Sequence, residues 1–482
     1  MAQISTFDWR NRYSIHTPGI YSFPTIPSLE VLGFFERAVR LESLTLEGDF
    51  ELTPILQVLV RANSAQAPHQ VPGLSRLRRL TLRTMSTKEE SVSIDYLLQA
   101  CQRLEDCALE SRAIITDNEP NGYDSANDSC LTTIITTASA TSSQQLQKLR
   151  SLDLNIRSLT REGLARVLGQ CPQLERLKVI DYGTTYVTEG FGQLLHQTCP
   201  ALKSLSLIAH GHQVQGHELV QALMRFPQLC HLGIESMRWG DQGLMALQEH
   251  CPTIQSLDIG MSSGWKIRPQ TLQRFLVASR GLKHLKVRGL RLAIEDMVDP
   301  ETGMTLVEWA CTGLETLSIG FSRTGERRSL PSSSSSTSSS SLQQPPTTSQ
   351  IIYGQLAKLT QLKTLELLVP ILPNRLRGSH VRGSASRGSA SHESAERDLE
   401  MLGPLQQLEH LRVLGTGQGS MLTEHQIKWI VQAWPKLESI VIPTGDHLRR
   451  PQFETWVRQC VDSDESSRLH NNLPSIVCQC CQ

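Results

Sequence analysis

The stretch Thr160-Arg-Glu-Gly-Leu-Ala-Arg-Val-Leu-Gly-Gln-Cys-Pro-Gln-Leu-Glu-Arg-Leu-Lys-Val-Ile180 carries two periodicities, and their order decides the fold. Leu164, Val167, Leu168 and Cys171 are spaced i, i+3, i+4, i+7, which places them on one stripe of a helix. Pro172 cannot continue that helix and turns the chain. From Leu174 the pattern changes to L-x-x-L-x-[LIV], through Leu177 and Val179. Its last part alternates with period two, as a short strand with one buried face does.

The strand motif occurs thirteen times, from Leu41/Leu44/Leu46 and Leu77/Leu80/Leu82 through Leu362/Leu365/Leu367 and Leu408/Leu411/Val413 to Leu437/Ile440/Ile442. Between Leu149 and Leu282 successive motifs begin 25, 28, 27, 25 and 28 residues apart. The helical stripe returns as Leu219, Ala222, Leu223 and Phe226, and as Ile427, Ile430, Val431 and Trp434. Pro200, Pro227, Pro252 and Pro435 stop the chain at the equivalent place. Thr160 with Glu162, and Thr188 with Glu189, supply helix-start residues. Composition agrees: 68 leucines stand against 24 Phe, Trp and Tyr in 482 residues, which suits many small, similar packing units better than compact domains with aromatic cores.

This strand-plus-helix unit resembles the leucine-rich-repeat family over roughly residues 29–445. The resemblance implies an α/β solenoid of about 13 repeats, curved, with short parallel strands on the concave face and helices on the convex face. One unit cannot bury its own apolar edge, so each depends on stacked neighbours. The Asn or Cys ladder that the family often places after the last strand leucine is mostly missing here. The expected organisation is an N-terminal segment at 1–28, a solenoid at 29–462 and a disordered, Cys-containing tail at 463–482.

Insertions at 110–145, 322–350 and 371–397 interrupt the repeats. They are rich in Ser, Thr, Asn and Asp, in a serine tract (Ser332–Ser341), and in a doubled Arg-Gly-Ser-Ala-Ser from Arg382 and Arg387. Their apolar content is too low to offset the entropy of ordering them, and they are expected to be disordered. Phe453, Trp456, Val457, Cys460 and Val461 form an amphipathic stripe suited to capping the last repeat.

The segment Thr188-Glu-Gly-Phe-Gly-Gln-Leu-Leu-His-Gln-Thr-Cys-Pro200, like Gly169-Gln-Cys-Pro172 before its strand, is similar to repeats of F-box/leucine-rich-repeat proteins. The irregular spacing and serine tracts look like fungal members. That family implies a solenoid that captures a substrate protein and an F-box that docks on the adaptor of a cullin-based (SCF-type) ubiquitin ligase. Ile26-Pro-Ser-Leu-Glu-Val-Leu-Gly-Phe-Phe35 echoes an F-box opening, but the first repeat begins at Leu41, so no recognisable F-box fits.

Nothing in the sequence assembles a catalytic or metal site. Cys101, Cys171, Cys199, Cys251 and Cys311 share one slot, three residues before the first leucine, which elsewhere holds Leu146, Phe226, Leu359, Leu405 or Trp434. A slot that exchanges Cys for Phe and Leu is a packing position. Gly260-Met-Ser262-Ser-Gly264 matches a nucleophile-elbow pattern, but neighbouring loops bring no Asp and His partner. Gly415-Thr-Gly417-Gln-Gly419 has no phosphate-binding lysine. His210, His212 and His217 have no flanking ligands to complete a metal site. The chain is expected to be non-enzymatic, without cofactor or metal.

What remains is surface. The outward residue inside each strand motif runs Thr45, Thr81, Ala108, Asp153, Lys178, Ser206, Gly233, Asp258, Lys286, Ser318, Glu366, Arg412 and Val441, a mixed series without a basic stripe. Asp153, Lys178, Glu235, Asp258, Lys286 and Arg288 are the candidate polar contacts of a protein partner. Tyr182, Tyr186, Trp239, Trp265 and Phe321 fall just beyond strands on one loop edge, as candidate aromatic anchors or as residues packed locally. Zero net charge argues against nucleic acid or an anionic membrane as the main partner. No run reaches about 18 uninterrupted apolar residues, so no membrane-spanning helix is expected. Without a visible signal peptide, twelve cysteines fit reduced thiols in the cytoplasm or nucleus. The expected function is a protein-interaction solenoid with an unidentified partner on its concave face or loop edge and, by resemblance, a ubiquitin-ligase adaptor. The alternative is a GTPase-activating or enzyme-inhibiting repeat protein.

Overall fold

The computed structural model describes residues 6–10, 41–48, 50, 55, 76–84, 97–98, 101–111, 146–156, 161–181, 190–209, 216–235, 239–260, 267–293, 308–322, 348–367, 400–413, 429–430, 432–442 and 475–478. The chain divides into two compact units, Met1–Arg238 and Trp239–Gln482.

In the first unit the strands are β1 (Thr6–Arg10), β2 (Ser43–Gly48), β3 (Arg79–Thr84), β4 (Asp106–Ser111), β5 (Ser151–Ile156), β6 (Arg176–Asp181), β7 (Ser204–Ala209) and β8 (His231–Glu235). Its helices are α1 (Arg161–Gly169), α2 (Phe191–Thr198) and α3 (Gly216–Leu223). The second unit holds α4 (Asp241–His250), β9 (Ser256–Gly260), α5 (Pro269–Ala278), β10 (His284–Ala293), β11 (Thr316–Ser322), α6 (Thr348–Ala357), β12 (Thr364–Leu367), β13 (His410–Val413), β14 (Ser439–Ile442) and β15 (Ser475–Cys478). Within each unit the strands pair in parallel and in chain order. Each unit therefore has the leucine-rich-repeat fold, and each of the thirteen motifs forms one strand, β2 to β14.

The register keeps equivalent motif positions side by side. Leu44, Leu80, Cys107, Leu152, Leu177, Leu205 and Leu232 are successive partners in the first unit, and Leu257, Leu285, Leu317, Leu365, Leu411 and Ile440 in the second. All are buried. Each leucine or isoleucine in this column contributes roughly 1.5–3 kcal/mol of burial, so the column is one of several that hold neighbouring repeats together.

Two backbone devices repeat with the motif. The carbonyl of the slot residue accepts the N–H of the first leucine three positions on, as Cys171 O does from Leu174 N at 3.1 Å and Phe226 O from Leu229 N at 3.0 Å. This is a four-residue turn, and the prolines stand at its second position, where their fixed φ is favoured. One residue past that leucine, a carbonyl accepts two N–H groups from the next repeat. Glu105 and Asp106 both donate to Arg78 O, at 2.7 and 3.0 Å, and Glu315 and Thr316 both donate to Lys283 O at the same distances.

The stripes Leu164, Val167, Leu168 and Cys171, and Leu219, Ala222, Leu223 and Phe226, are buried as the spacing requires. Helix α2 begins at Phe191 after Gly190, whose φ of 80° lies in the left-handed region, and no side chain caps it. The expected start residues Thr160, Thr188 and Glu189 lie outside the described residues. Helices α2 and α3 come close at Gly192, where a Cβ would lie 2.6 Å from Ala222 Cα.

The chain departs from expectation at its ends and at the rims of the insertions. Thr6–Arg10, in the segment placed before the repeats, pairs with β2 as β1. Ser475–Cys478, in the tail expected to be disordered, pairs with β14 as β15. The outer edge of a terminal strand carries unpaired N–H and C=O groups, and a short β-branched segment such as Ser-Ile-Val-Cys satisfies them. Glu110 and Ser111 belong to β4, Ser322 to β11 and Thr348–Gln350 to α6, so the first two of the three insertions are shorter than their compositional bounds. Residues 112–145, 323–347, 371–397 and 447–462 lie outside the described residues. No helix among the described residues is long and apolar enough to cross a membrane.

Candidate protein-binding face

Strand pleating sends the central residue of each motif away from the leucine core. In the first unit Thr45, Thr81, Ala108, Asp153, Lys178, Ser206 and Gly233 are register partners in one row. In the second unit the row is Asp258, Lys286, Ser318, Glu366, Arg412 and Val441. All are half-buried except Ser318, which is 1% exposed.

Charges on the first unit's face close on one another. Lys178 Nζ lies 2.9 Å from Asp153 Oδ2 on the neighbouring strand. Arg176 reaches across the β5 position Ser151 to Asp106, at 2.8 Å. Arg83 sits between Glu47 at 3.0 Å and Glu110 at 3.6 Å. Two members of the basic cluster Arg78, Arg79 and Arg83 are thus paired, since Arg78 also meets Glu105 at 3.4 Å.

A second charge column runs beside the first. The residue after the first leucine alternates in sign over Glu42, Arg78, Glu105, Arg150, Glu175 and Lys203 in one unit and over Lys283, Glu315, Lys363 and Glu409 in the other, while Cys230, Gln255 and Glu438 fall outside the alternation. The shared-carbonyl ladder holds these residues one strand apart, and Glu175 meets both Arg150 at 3.5 Å and Lys203 at 3.4 Å. Lys363 donates to Glu315 at 2.8 Å, and this bond with its charge lowers the Glu315 carboxyl and raises the Lys363 ammonium. Solvent screens such exposed pairs, so each contributes little to stability. Their larger effect is to cancel charge that a polyanion would need to find.

The second unit's central row behaves differently. Asp258 and Lys286 are register partners, as are Glu366 and Arg412, yet none of the four has a side-chain partner among the described residues. Ser318 Oγ and Arg412 Nε, like Asp153 Oδ1 in the first unit, are inaccessible to solvent and have no hydrogen-bond partner among the described residues. Arg288 is exposed on the same face, and His284 Nδ1 lies 3.1 Å from Thr316 Oγ1 in the adjacent row. Ser318, Glu366 and Arg412 were not singled out by residue type; their shared register position with Asp258 and Lys286 is the signal that groups them.

The aromatic edge is corrected at two of its five residues. Trp239 is 1% exposed and Phe321 2% exposed, so neither anchors a partner. Phe321 lies within β11, on the same side of the pleat as the buried Leu317 and Ile319, because that strand runs past its motif to Ser322. Trp239 occupies the space beside Gly243, and its Nε1 has no hydrogen-bond partner among the described residues. Tyr182, Tyr186 and Trp265 lie outside the described residues. Glu235 ends β8 and is half-buried.

The cysteine slot is core. Cys101, Cys171, Cys199, Cys251 and Cys311 are buried, and they are free thiols, as are Cys107 and Cys230. Burial pushes the Cys101 thiol up to about 12 and those of Cys199, Cys251 and Cys311 up to about 11, which makes them poor nucleophiles and poor ligands. No cluster of metal-binding side chains exists among the described residues. Ser262, Gly417, His210 and His212 lie outside those residues, and His217 falls in α3.

No family model matches the chain. Among solved structures, a crystal structure of a TLR13–ssRNA13 complex is similar at 11% identity and a TM-score of 0.34, over 87% of this chain and 61% of that one. The present chain thus spans about three-fifths of that neighbour's length, and a likeness this distant carries no argument about ligands.

Proposed function

We propose that this chain is a non-enzymatic protein-binding scaffold that captures a partner on its outward strand face. The observation that carries the reading is the row of half-buried, register-matched polar side chains in each unit, with both charge signs and small residues interleaved. Such a surface offers contact area and directional groups without the unbroken positive potential that a nucleic acid selects. The buried, high-pKa thiols add weight to a non-catalytic reading, and free cysteines agree with a cytoplasmic or nuclear setting.

The finer reading is substrate recognition for a cullin-based ubiquitin ligase, supported by the Cys-Pro turn before three of the L-x-x-L-x-[LIV] strands, at Cys171-Pro172, Cys199-Pro200 and Cys251-Pro252. Affinity capture of the tagged full chain from its own cells, with mass spectrometry of what co-purifies, tests both levels. A reproducible protein partner supports the scaffold. Adaptor and cullin in the same eluate support the ligase role. Their consistent absence removes that role, and the absence of any partner together with GTPase stimulation in a turnover assay would replace the scaffold with the activator reading.

A further inference from the structure

We infer that the strand face of the second unit is the docking surface, and that its occupant is an extended protein segment carrying acidic and basic side chains together. The inference rests on the protein-binding reading above and deepens it by naming the face and the partner's chemistry.

The argument is a comparison at one repeat position. In the first unit the neighbouring opposite charges Asp153 and Lys178 close to 2.9 Å, and Glu47, Arg83, Glu110, Asp106 and Arg176 also satisfy one another. In the second unit Asp258 and Lys286, then Glu366 and Arg412, stand at the same row in the same register, and neither pair closes. Ser318 lies between Lys286 and Glu366 in that row, almost fully buried, with its hydroxyl unpaired among the described residues. Arg412 Nε is likewise hidden from water without an acceptor. These hidden atoms lie out of a docking segment's reach, and Asp153 Oδ1 of the first unit is in the same state; what sets the second unit apart is that its half-buried opposite charges do not close.

The order of charges selects the occupant. Read across the strands, the row is acid, base, hydroxyl, acid, base. Its complement presents carboxylates to Lys286 and Arg412 and cations to Asp258 and Glu366. A phosphodiester chain or an anionic bilayer is negative throughout and meets two carboxylates on this row. A protein segment with both signs meets none of its own charge. Charge matching of this kind sets partner choice and register.

The test uses the full chain as bait for a displayed library of short random peptides, with labelled oligouridine as a second probe. Selected peptides are expected to combine acidic and basic residues. Lys286→Glu with Arg412→Glu should weaken them about tenfold or more, as reversal of two contacting charges does. Asp258→Lys with Glu366→Lys should do the same through the opposite sign. The two double variants reverse different charges, so a folding failure in one, seen by circular dichroism, leaves the other as the readout. Arg79→Glu on the first unit should leave binding unchanged. Peptides that respond to Arg79→Glu and ignore both second-unit variants overturn the inference while the protein-binding reading stands. Oligouridine bound more tightly than every peptide overturns the inference, and so does a library with no enrichment over an unrelated control protein. In either case the scaffold reading is then judged on capture by the full chain.

Discussion

The indole of Trp239 fills the space that a Cβ on Gly243, in the first turn of α4, would occupy. An aromatic that the sequence offers as a loop anchor is instead the ring against which a helix is laid. Gly243 is glycine because any side chain there would collide with it.

Gly243→Ala should therefore destabilise the protein by about 1–3 kcal/mol, the usual cost of overpacking a filled core. Gly169→Ala is the internal control, since nothing lies within 4 Å of a Cβ at that position. It should be neutral or slightly stabilising. Chemical denaturation of both variants checks the contrast, and equal midpoints would show that the ring does not define the site.

The slot cysteines predict a loss of stability in alkali. An ordinary thiol titrates at 9.0, while burial raises Cys101 to about 12 and Cys199, Cys251 and Cys311 to about 11. The unfolded chain thus releases these protons first as pH rises. Their contribution is full below about pH 9, declines above it, and is gone past the folded values. Urea unfolding at about pH 8 and about pH 10.5 should show this decline. Replacing Cys199 and Cys251 by Leu, which fills the slot in other repeats, should flatten it. Native thiols at these positions should also resist alkylation until the chain unfolds.

Glu175 tests the alternating column, because it meets Arg150 and Lys203 at 3.5 and 3.4 Å. Glu175→Lys replaces two attractions by two repulsions, and a loss of about 0.5–1 kcal/mol is expected at low ionic strength. Salt should shrink the loss. A melting temperature that ignores both the substitution and the salt would mean that the column contributes nothing to stability.

Asp241 links the start of α4 to the start of α5. Its carboxylate accepts the Arg268 backbone N–H at 2.7 Å and pairs with the Arg268 guanidinium. Desolvation raises the carboxyl, but hydrogen bonds from Arg268 and Thr271 and the Arg268 charge outweigh it, and the net shift is downward. A lowered folded value means that the stabilisation is present above the ordinary carboxylate range and is lost as pH falls through the folded value. Asp241→Asn should lose about 0.5–1 kcal/mol near neutral pH and show a smaller fall in stability on acidification. Equal acid sensitivity of the two proteins would place that sensitivity elsewhere.

The fold was legible in the chain because its information is local and repeated. Leu174, Leu177 and Val179 announce a strand, Cys171-Pro172 a turn, and Leu164 to Leu168 a helix, each within one repeat. The candidate site was only partly legible. Asp258, Lys286 and Arg288 face outward as the alternation requires, but so do Asp153 and Lys178, and residue type alone does not separate the free from the paired. Ser475–Cys478 was missed because four residues carry too little periodicity to announce a strand; an open edge beside them makes one.

The sequence by itself determined the repeating unit, the buried columns and the use of cysteine as core, since burial of an alternating pattern leaves a chain little choice of face. Only the tertiary structure decided which charges cancel. Arg176 and Asp106 are 70 residues apart and meet by skipping a strand, and register, not spacing, brought them within 2.8 Å. The same register left Asp258, Lys286, Glu366 and Arg412 unpaired among the described residues. Pairing depends on how long side chains lean across neighbouring strands, which stacking sets and a one-dimensional pattern does not contain.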